Sequence, residues 1–180
     1  YTPAANPRAV LLFCHGNGGN LAHRVDVIKG YHDLGLSSLL FDYRGYGRSE
    51  GRPSEQGTYL DAQAAWDFLA DQRGIDPGRI ILIGRSLGGP IAAHIAAKFR
   101  PAGLSLEEAA TSAAEAGQQM FLFLPVSLLQ RPRYDTVAWL RDVTCPVMVS
   151  HGPRAREIRF SHAQRLYAAA QGPTRFVGRD

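Results

Sequence analysis

Ser86 lies in the middle of a Gly-x-Ser-x-Gly pattern at residues 84–88, which reads Gly-Arg-Ser-Leu-Gly. A serine hydroxyl can attack a carbonyl carbon when such a pattern forms a sharp turn between a strand and a helix. The pattern alone is weak evidence, because glycine and serine are common residues. Its setting is more specific, since an aliphatic run at residues 79–83 precedes it and a helical segment at residues 90–99 follows it. The sequence therefore predicts that Ser86 is a nucleophile on a strand-to-helix turn.

Two backbone amides are candidates for binding the negative charge that develops on an attacked carbonyl oxygen. The amide of Leu87 follows the serine and opens the predicted helix, where free N–H groups and the helix dipole favour an anion. The amide of Asn17 lies in the segment His-Gly-Asn-Gly-Gly-Asn at residues 15–20, whose glycines leave N–H groups unshielded. Two such donors stabilise a transition state by on the order of several kcal/mol. We predict that Leu87 and Asn17 form an oxyanion hole.

The glycine-rich segment at residues 15–20 also has a second interpretation, a loop that binds phosphate. It lacks the Gly-Lys-Ser/Thr ending of nucleotide-binding loops and does not fit Gly-x-Gly-x-x-Gly. The sequence therefore argues against a phosphate-binding loop at residues 15–20.

The strands and helices that must hold these residues follow from the hydrophobic pattern. Short apolar runs occur at residues 9–14, 37–42, 79–83, 103–106 and 146–150, with a weaker run at 174–177. Helical segments alternate with them, which predicts an α/β fold in which helices flank a mostly parallel sheet, as one domain over residues 1–180. One helix should begin after the N-cap Ser54 and run through Arg73. Its predicted apolar stripe comprises Tyr59, Leu60, Ala62, Ala65, Trp66 and Leu69.

The segment at residues 107–135 interrupts this alternation with two helical pieces and no strand between them. Because it follows the run at residues 103–106, it would lie at the C-terminal end of the sheet, where a lid would sit. Its apolar part at residues 120–129 could line an acyl-binding pocket, contact a membrane or pack against the sheet. Packing is the usual role of apolar residues at helical spacing.

Charge and composition exclude several classes of protein. The 180 residues carry a net charge of +4, and only Lys29 and Lys98 are lysines. The scattered arginines and the lack of a known motif argue against nucleic-acid binding. No apolar run is long enough to cross a membrane, and the first residues show no secretory pattern, which favours the cytoplasm. Cys14 and Cys145 adjoin apolar runs, so we expect buried free thiols and no disulfide or metal site.

Three segments, in this order, resemble the α/β-hydrolase superfamily: HGNGGN at residues 15–20, FDYRGYGRSEG at residues 41–51 and GRSLGG at residues 84–89. The resemblance covers residues 10–166 and points to the small serine-hydrolase branch with a short helical lid, which includes depalmitoylating thioesterases. It implies an eight-stranded sheet, a serine nucleophile and no cofactor. It also implies that Asp42 and Arg44 hold a loop beside the active site without taking part in the chemistry. Serine at position 86 excludes the relatives that use an aspartate nucleophile.

The sequence departs from the family pattern at the two residues that would activate the serine. The family's His-Gly-x-x-Asp segment reads His-Gly-Pro-Arg-Ala at residues 151–155. The position of the acid is therefore occupied by Ala155, or by Arg156 if the alignment follows Glu157 and Ile158, and no histidine follows His162. Serine is a weak nucleophile without an adjacent base. Glu107 and Glu157 are alternative acids, and His151 and His162 are alternative bases.

Two hypotheses follow from these observations. The first is a serine hydrolase that cleaves a small ester or thioester through an acyl-enzyme on Ser86, with impaired activity because neither the acid nor the histidine is visible. Both ends look clipped relative to the family pattern, which predicts missing edge strands. The second is a catalytically silent module of the same fold that binds a hydrophobic ligand or a partner through residues 120–129.

Overall fold

The protein is seen in a computed structural model that describes residues 1–120, 133–152 and 158–178, without the side chains of residues 118–120. Its strands are β1 (Val10–Cys14), β2 (Ser37–Leu40), β3 (Ile80–Arg85), β4 (Gly103–Glu107), β5 (Val147–His151) and β6 (Thr174–Gly178). Within the described ranges, these six strands form one parallel sheet in the order β2-β1-β3-β4-β5-β6. Every apolar run identified in the sequence forms a strand, so the α/β prediction is confirmed.

The helices fill the connections between these strands. They are α1 (Val25–Asp33), α2 (Glu55–Asp67), α3 (Gly88–Phe99), α4 (Ala113–Met120), α5 (Thr136–Leu140) and α6 (Phe160–Ala169). Helix α2 begins as predicted, because the Ser54 hydroxyl accepts a hydrogen bond from the N–H of Gly57 at 3.1 Å. Its α-helical part ends at Asp67, and a π-helical turn over Phe68–Gln72 replaces the predicted continuation to Arg73.

The two faces of the sheet are covered by different helices. On one face, α2, α3, α5 and α6 pack against inward-facing strand residues to form the larger core. On the other face, α1 covers a smaller cluster centred on Leu11, Phe13, Leu40 and Ile83. Successive strand side chains point to opposite faces, which explains why β1 contributes Leu12 to one core and Phe13 to the other.

The predicted apolar stripe of α2 is wrong at one position. Leu60 is 48% exposed, whereas the preceding Tyr59 is only 5% exposed. Leu60 points about 100° away from Tyr59 around the helix, which here turns it to solvent. The other members of the stripe, Ala62, Ala65, Trp66 and Leu69, are buried.

Parallel pairing brings the C-terminal ends of neighbouring strands to one edge of the sheet. Cys14 of β1 is in register with Gly84 of β3, and Arg85 of β3 is in register with Glu107 of β4. The segments that follow these strands, at residues 15–20, 86–87 and 108–112, therefore meet at the same edge. Ligands of open parallel sheets bind outside the C-terminal ends of the strands.

Two expectations drawn from composition can be compared with the structure. Cys14 and Cys145 are free and buried, as their positions beside apolar runs predicted. No helix among the described residues combines the length and the apolar character that crossing a membrane requires.

Candidate active site

Ser86 occupies a tight turn between the end of β3 and the start of α3. Its φ angle is +51°, a left-handed conformation that is unusual for a residue with a side chain. Its N–H donates to the carbonyl of Glu107 at 2.9 Å, and its carbonyl accepts from the N–H of Gly89 at 2.9 Å. The residue is half-buried, and within the described ranges its hydroxyl makes no hydrogen bond. The bend therefore presents Ser86 to solvent at the edge of the sheet.

Glycines make this turn sterically feasible. A Cβ on Gly84 would lie 2.5 Å from the carbonyl oxygen of Gly88, where β3 and α3 pass each other. A Cβ on Gly88 would lie 1.9 Å from the carbonyl oxygen of Cys14 and 2.9 Å from that of His15. These contacts are with backbone atoms, which cannot rotate away as a side chain can. The close approach of β1, β3 and α3 thus explains the small residues on both sides of Ser86.

The glycine-rich loop at residues 15–20 lies directly against the serine. A Cβ built on Gly16 would be 3.3 Å from Ser86 Cβ and 4.0 Å from Ser86 Oγ. Asn17 follows Gly16 and is exposed, and Leu87 is the N-cap residue of α3. The fold thus brings the segments of Ser86, Leu87 and Asn17 together at one edge of the sheet.

Asp42 joins the loop at residues 41–51 to the glycine-rich loop. Its Oδ1 accepts from the N–H of Leu21 at 3.0 Å and lies 3.4 Å from Nε2 of His15. Its carbonyl accepts from the Ser49 hydroxyl at 2.9 Å. Asp42 therefore holds two loops together beside Ser86.

Arg44 anchors the same loop to helix α2. Its Nη2 donates to Asp61 Oδ1 at 2.7 Å, its Nε lies 3.1 Å from both carboxylate oxygens, and its own N–H donates to Oδ2 at 2.9 Å. A Cβ on Gly57 would lie 2.5 Å from Arg44 Cδ, so the guanidinium crosses α2 where the helix has no side chain. These contacts are the loop-holding roles that the family resemblance implied for Asp42 and Arg44.

His15 is buried and shapes the glycine-rich loop. Its Nδ1 donates to the carbonyl of Gly16 at 2.8 Å, and its own carbonyl accepts from the Tyr43 hydroxyl at 3.0 Å. Burial lowers the pKa of His15 below its ordinary value, even though Asp42 opposes this shift. The neutral ring, with its proton on Nδ1, is therefore the favoured form in the folded protein.

The two histidines proposed from the sequence as alternative bases are both buried and engaged elsewhere. His151 places Nδ1 2.8 Å from the carbonyl oxygen of Gly152 and Nε2 2.9 Å from that of Ile158. His162 accepts the N–H of Thr111 at Nδ1, at 3.1 Å. In the part of the chain that the structure describes, no histidine is hydrogen-bonded to the hydroxyl of Ser86.

Of the two acids proposed from the sequence, Glu107 and Glu157, only Glu107 lies among the described residues. Glu107 ends β4, and its carbonyl holds the N–H of Ser86, while the neighbouring Glu108 pairs with Arg85 at 3.4 Å. Glu157 and Ala155 lie outside the described residues. Among the described residues, no three His, Cys, Asp or Glu side chains form a group that could hold a metal ion.

Glu55 anchors the end of the predicted lid through contacts that local sequence patterns do not reveal. Its carboxylate accepts from the backbone N–H groups of Arg133 and Tyr134, at 2.7 and 2.8 Å, and from the Tyr59 hydroxyl at 3.0 Å. It therefore fixes the chain at the end of the predicted lid. Only its position in the first turn of α2 was visible in the sequence, and Arg133 and Tyr134 lie 78 and 79 residues away along the chain.

The two ends of the predicted lid are joined to each other. The N–H of Ala113 donates to the carbonyl of Arg133 at 3.0 Å, and the N–H of Thr136 donates to the carbonyl of Thr111 at 2.9 Å. The lid prediction for residues 107–135 includes the end of β4 and all of α4, and most of its apolar part at residues 120–129 lies outside the described residues. The lid and the single-domain assignment therefore stay predictions.

A second network links the start of the predicted lid to α6. The Thr111 hydroxyl donates to Glu115 at 2.9 Å and lies 2.7 Å from Nδ1 of His162, while Arg165 forms a two-pronged ion pair with Glu115. The hydrogen bond from Arg165 is the largest cause that lowers the pKa of Glu115. Glu115 therefore stays ionised and holds α4 against α6.

We expect acid to weaken this network at His162. Burial lowers the pKa of His162, so its folded pKa lies below the unfolded value near 6.5. The stabilisation is therefore complete above about pH 6.5 and is lost as the pH falls through the folded pKa. His162→Asn keeps an acceptor near the position of Nδ1 but does not titrate. The free energy of unfolding, measured with urea, should fall less steeply with decreasing pH in this variant than in the wild type, by at most about 1.4 kcal/mol per pH unit. Equal slopes in the two proteins would contradict the claim that protonation of His162 weakens the network.

Residues 9–164 match the model of a protein family described as the alpha/beta hydrolase fold. The six-stranded parallel sheet of the described residues, its flanking helices and the serine turn agree with that match. The chain belongs to the alpha/beta hydrolase fold family, which confirms the family inferred from the three sequence segments. The narrower assignment to a depalmitoylating branch stays a prediction.

Similar proteins include relatives of known and unknown activity. An uncharacterized protein of Mycobacterium tuberculosis is 41% identical over 177 residues, which cover 98% of this chain and 63% of the relative. The alpha/beta hydrolase of Vibrio vulnificus is 27% identical, with a TM-score of 0.79 over 93% of this chain and 66% of that chain. The esterase domain of a Rhodothermus marinus protein is 25% identical, with a TM-score of 0.73 over 99% of this chain and 78% of that chain. This chain thus spans less than two thirds of its mycobacterial relative.

Proposed function

We propose that this protein cleaves small carboxylic esters or thioesters through an acyl-enzyme on Ser86. The observation that carries the proposal is the left-handed Ser86, whose φ is +51°, with Gly16 of the glycine-rich loop packed against it. Such turns are strained, and strained residues occur more often at active sites than elsewhere. The similarity to an esterase domain supports an ester as the substrate.

The reaction follows from the groups at the turn. Ser86 Oγ attacks the carbonyl carbon, and the N–H groups of Leu87 and Asn17 donate to the resulting oxyanion. The bond to the leaving group then breaks, and the departing alcohol or thiol carries away the proton that Ser86 lost, which leaves an ester on Ser86. Water attacks this ester, one water proton goes to Ser86 Oγ as its bond to the acyl carbon breaks, and the carboxylic acid is released. Each oxyanion donor contributes roughly 3 kcal/mol to transition-state stabilisation in serine hydrolases.

Neither cysteine competes with Ser86 as the nucleophile. Burial raises the pKa of Cys14 to about 12, and burial also raises the pKa of Cys145. The thiolate is the reactive form of cysteine, so both side chains are inert near neutral pH.

We further propose that turnover by this chain is impaired at the hydrolysis of the acyl-enzyme. His151 and His162 direct ring nitrogens at other partners, and alanine occupies the family position of the acid. Attack by Ser86 and attack by water both need a general base. An activated aryl ester is nevertheless more reactive than the alkyl ester on Ser86, because p-nitrophenolate leaves without a proton donor whereas the Ser86 oxygen needs one. Acylation should therefore outpace deacylation with an activated ester.

A pre-steady-state assay with p-nitrophenyl acetate tests this function. We expect a burst of p-nitrophenolate equal to the protein concentration, followed by a slow steady state, because an acyl-enzyme that accumulates produces such a burst. Fast turnover without a burst would contradict the impairment but support the hydrolase. No release above that of buffer would contradict the hydrolase and favour a catalytically silent binding module.

A further inference from the structure

The hydroxyl of Tyr46 donates a hydrogen bond to Asn17 Oδ1 at 2.5 Å. This bond joins the loop after β2 to the glycine-rich loop after β1. The Tyr46 ring is half-buried, and its centroid lies 5.6 Å from that of the buried His15 ring in an edge-on contact. The backbone of Tyr46 is fixed as well, because its N–H donates to Tyr43 at 2.9 Å and its carbonyl accepts from Ser49 at 2.8 Å. Tyr46 is therefore a firmly held donor.

Asn17, in contrast, lies between two residues that are held through their carbonyl groups, since Gly16 accepts from His15 at 2.8 Å and Gly18 accepts from Arg24 at 2.7 Å. It is exposed, and a Cβ on the following Gly18 would have no other heavy atom within 4 Å. The next residue, Gly19, has a φ of +77°. Glycine loses more conformational freedom on ordering than any other residue. A hydrogen bond from a fixed neighbour is therefore an effective way to order this part of the loop.

We propose that Tyr46 is a positioning residue for the oxyanion hole, because it orients the residue whose backbone amide donates to the developing negative charge. This inference rests on the proposed function, since it assigns Tyr46 to the reaction at Ser86. Oxyanion donors are effective because they are oriented before the reaction begins. Burial raises the pKa of Tyr46, so its hydroxyl keeps the donated proton at alkaline pH. Tyr46 acts through Asn17 and need not touch the substrate.

The test compares the acylation step in three variants of the full 180-residue chain. Tyr46→Phe removes only the hydroxyl, and we expect the burst rate constant with p-nitrophenyl acetate to fall about 10-fold, a fraction of the loss caused by deleting a donor outright. The substrate concentration at half-saturation should not change, because the bond acts on the transition state. Asn17→Ala removes the acceptor but keeps the backbone amide, so it should cause the same loss. The double variant should be no slower than either single variant, since both remove one bond.

Tyr167→Phe is the matched control, because Tyr167 is an exposed tyrosine on α6 and is 43% accessible. Its burst rate should equal that of the wild type.

Equal burst rates in Tyr46→Phe and the wild type would overturn the positioning role and leave the proposed function intact. Additive losses in the double variant would also overturn it. No release of p-nitrophenolate by the wild type above that of buffer would refute the proposed function and this inference with it. Should Tyr46→Phe fail to fold in thermal unfolding, Asn17→Ala tests the same bond from its other side.

Discussion

Replacing Ser86 with alanine is expected to abolish the burst of p-nitrophenolate and to lower its initial rate by about 10³-fold or more. The substitution removes the oxygen that forms the acyl-enzyme, whereas the alanine methyl group fits where the serine Cβ already lies. The backbone hydrogen bonds of residue 86, to Glu107 and Gly89, do not involve the hydroxyl. The thermal stability of the variant should therefore be close to that of the wild type, so the loss of activity can be attributed to the missing hydroxyl.

Ser161→Ala is the matched control for this experiment. Ser161 lies on α6 and is exposed, far along the chain from the serine turn. It should leave both the burst and the steady state unchanged. A burst of full amplitude in Ser86→Ala would contradict the assignment and point to acylation of another side chain.

The second large effect is expected from adding a side chain at Gly88. Its Cβ would lie 1.9 Å from the carbonyl oxygen of Cys14 and 2.5 Å from the carbonyl carbon of Cys14, a contact that real structures do not tolerate. To make room, α3 would have to separate from the end of β1. We expect Gly88→Val to destabilise the protein by about 4 kcal/mol or to prevent folding. This exceeds the roughly 1–3 kcal/mol of ordinary overpacking because the added side chain would clash with backbone atoms, which cannot rotate away.

Gly30→Ala provides the contrast for Gly88. Gly30 lies within α1, and a Cβ there would meet no other heavy atom within 4 Å. Alanine is a better helix former than glycine, so this variant should be more stable by up to about 1 kcal/mol. Urea unfolding of both variants measures the comparison. A Gly88→Val protein as stable as the wild type would show that β1, β3 and α3 do not pack as described.

The elements of the fold were predictable because each is encoded locally. Runs of aliphatic residues mark the central strands, since a strand inside a parallel sheet is buried on both faces and favours apolar residues. The last strand, β6, is only partly buried and gave the weaker run at residues 174–177. The serine turn was predictable for a related reason, because only glycine fits at Gly84 and Gly88. The prediction that Leu60 lies in the core was wrong, because the apolar stripe predicted for α2 was wider than the face that this helix buries, which includes Tyr59 but not Leu60.

Much of the candidate site could not be predicted because its contacts join distant residues. Tyr46 and Asn17 are 29 positions apart, and Glu55 and Tyr134 are 79 positions apart. No periodicity relates such residues, so only the folded chain reveals them. The sequence did identify the glycine-rich loop, but not that a tyrosine hydroxyl from another loop holds it.

The most direct test of the central claim is the location of a covalent adduct after treatment with a fluorophosphonate probe. Trypsin cleaves after Arg85 and Lys98 and releases the peptide of residues 86–98, in which Ser86 is the only hydroxyl-bearing residue. We predict that tandem mass spectrometry places the adduct on Ser86 of this peptide. An unmodified 86–98 peptide, or an adduct carried by any other residue, would contradict the claim that Ser86 is the nucleophile.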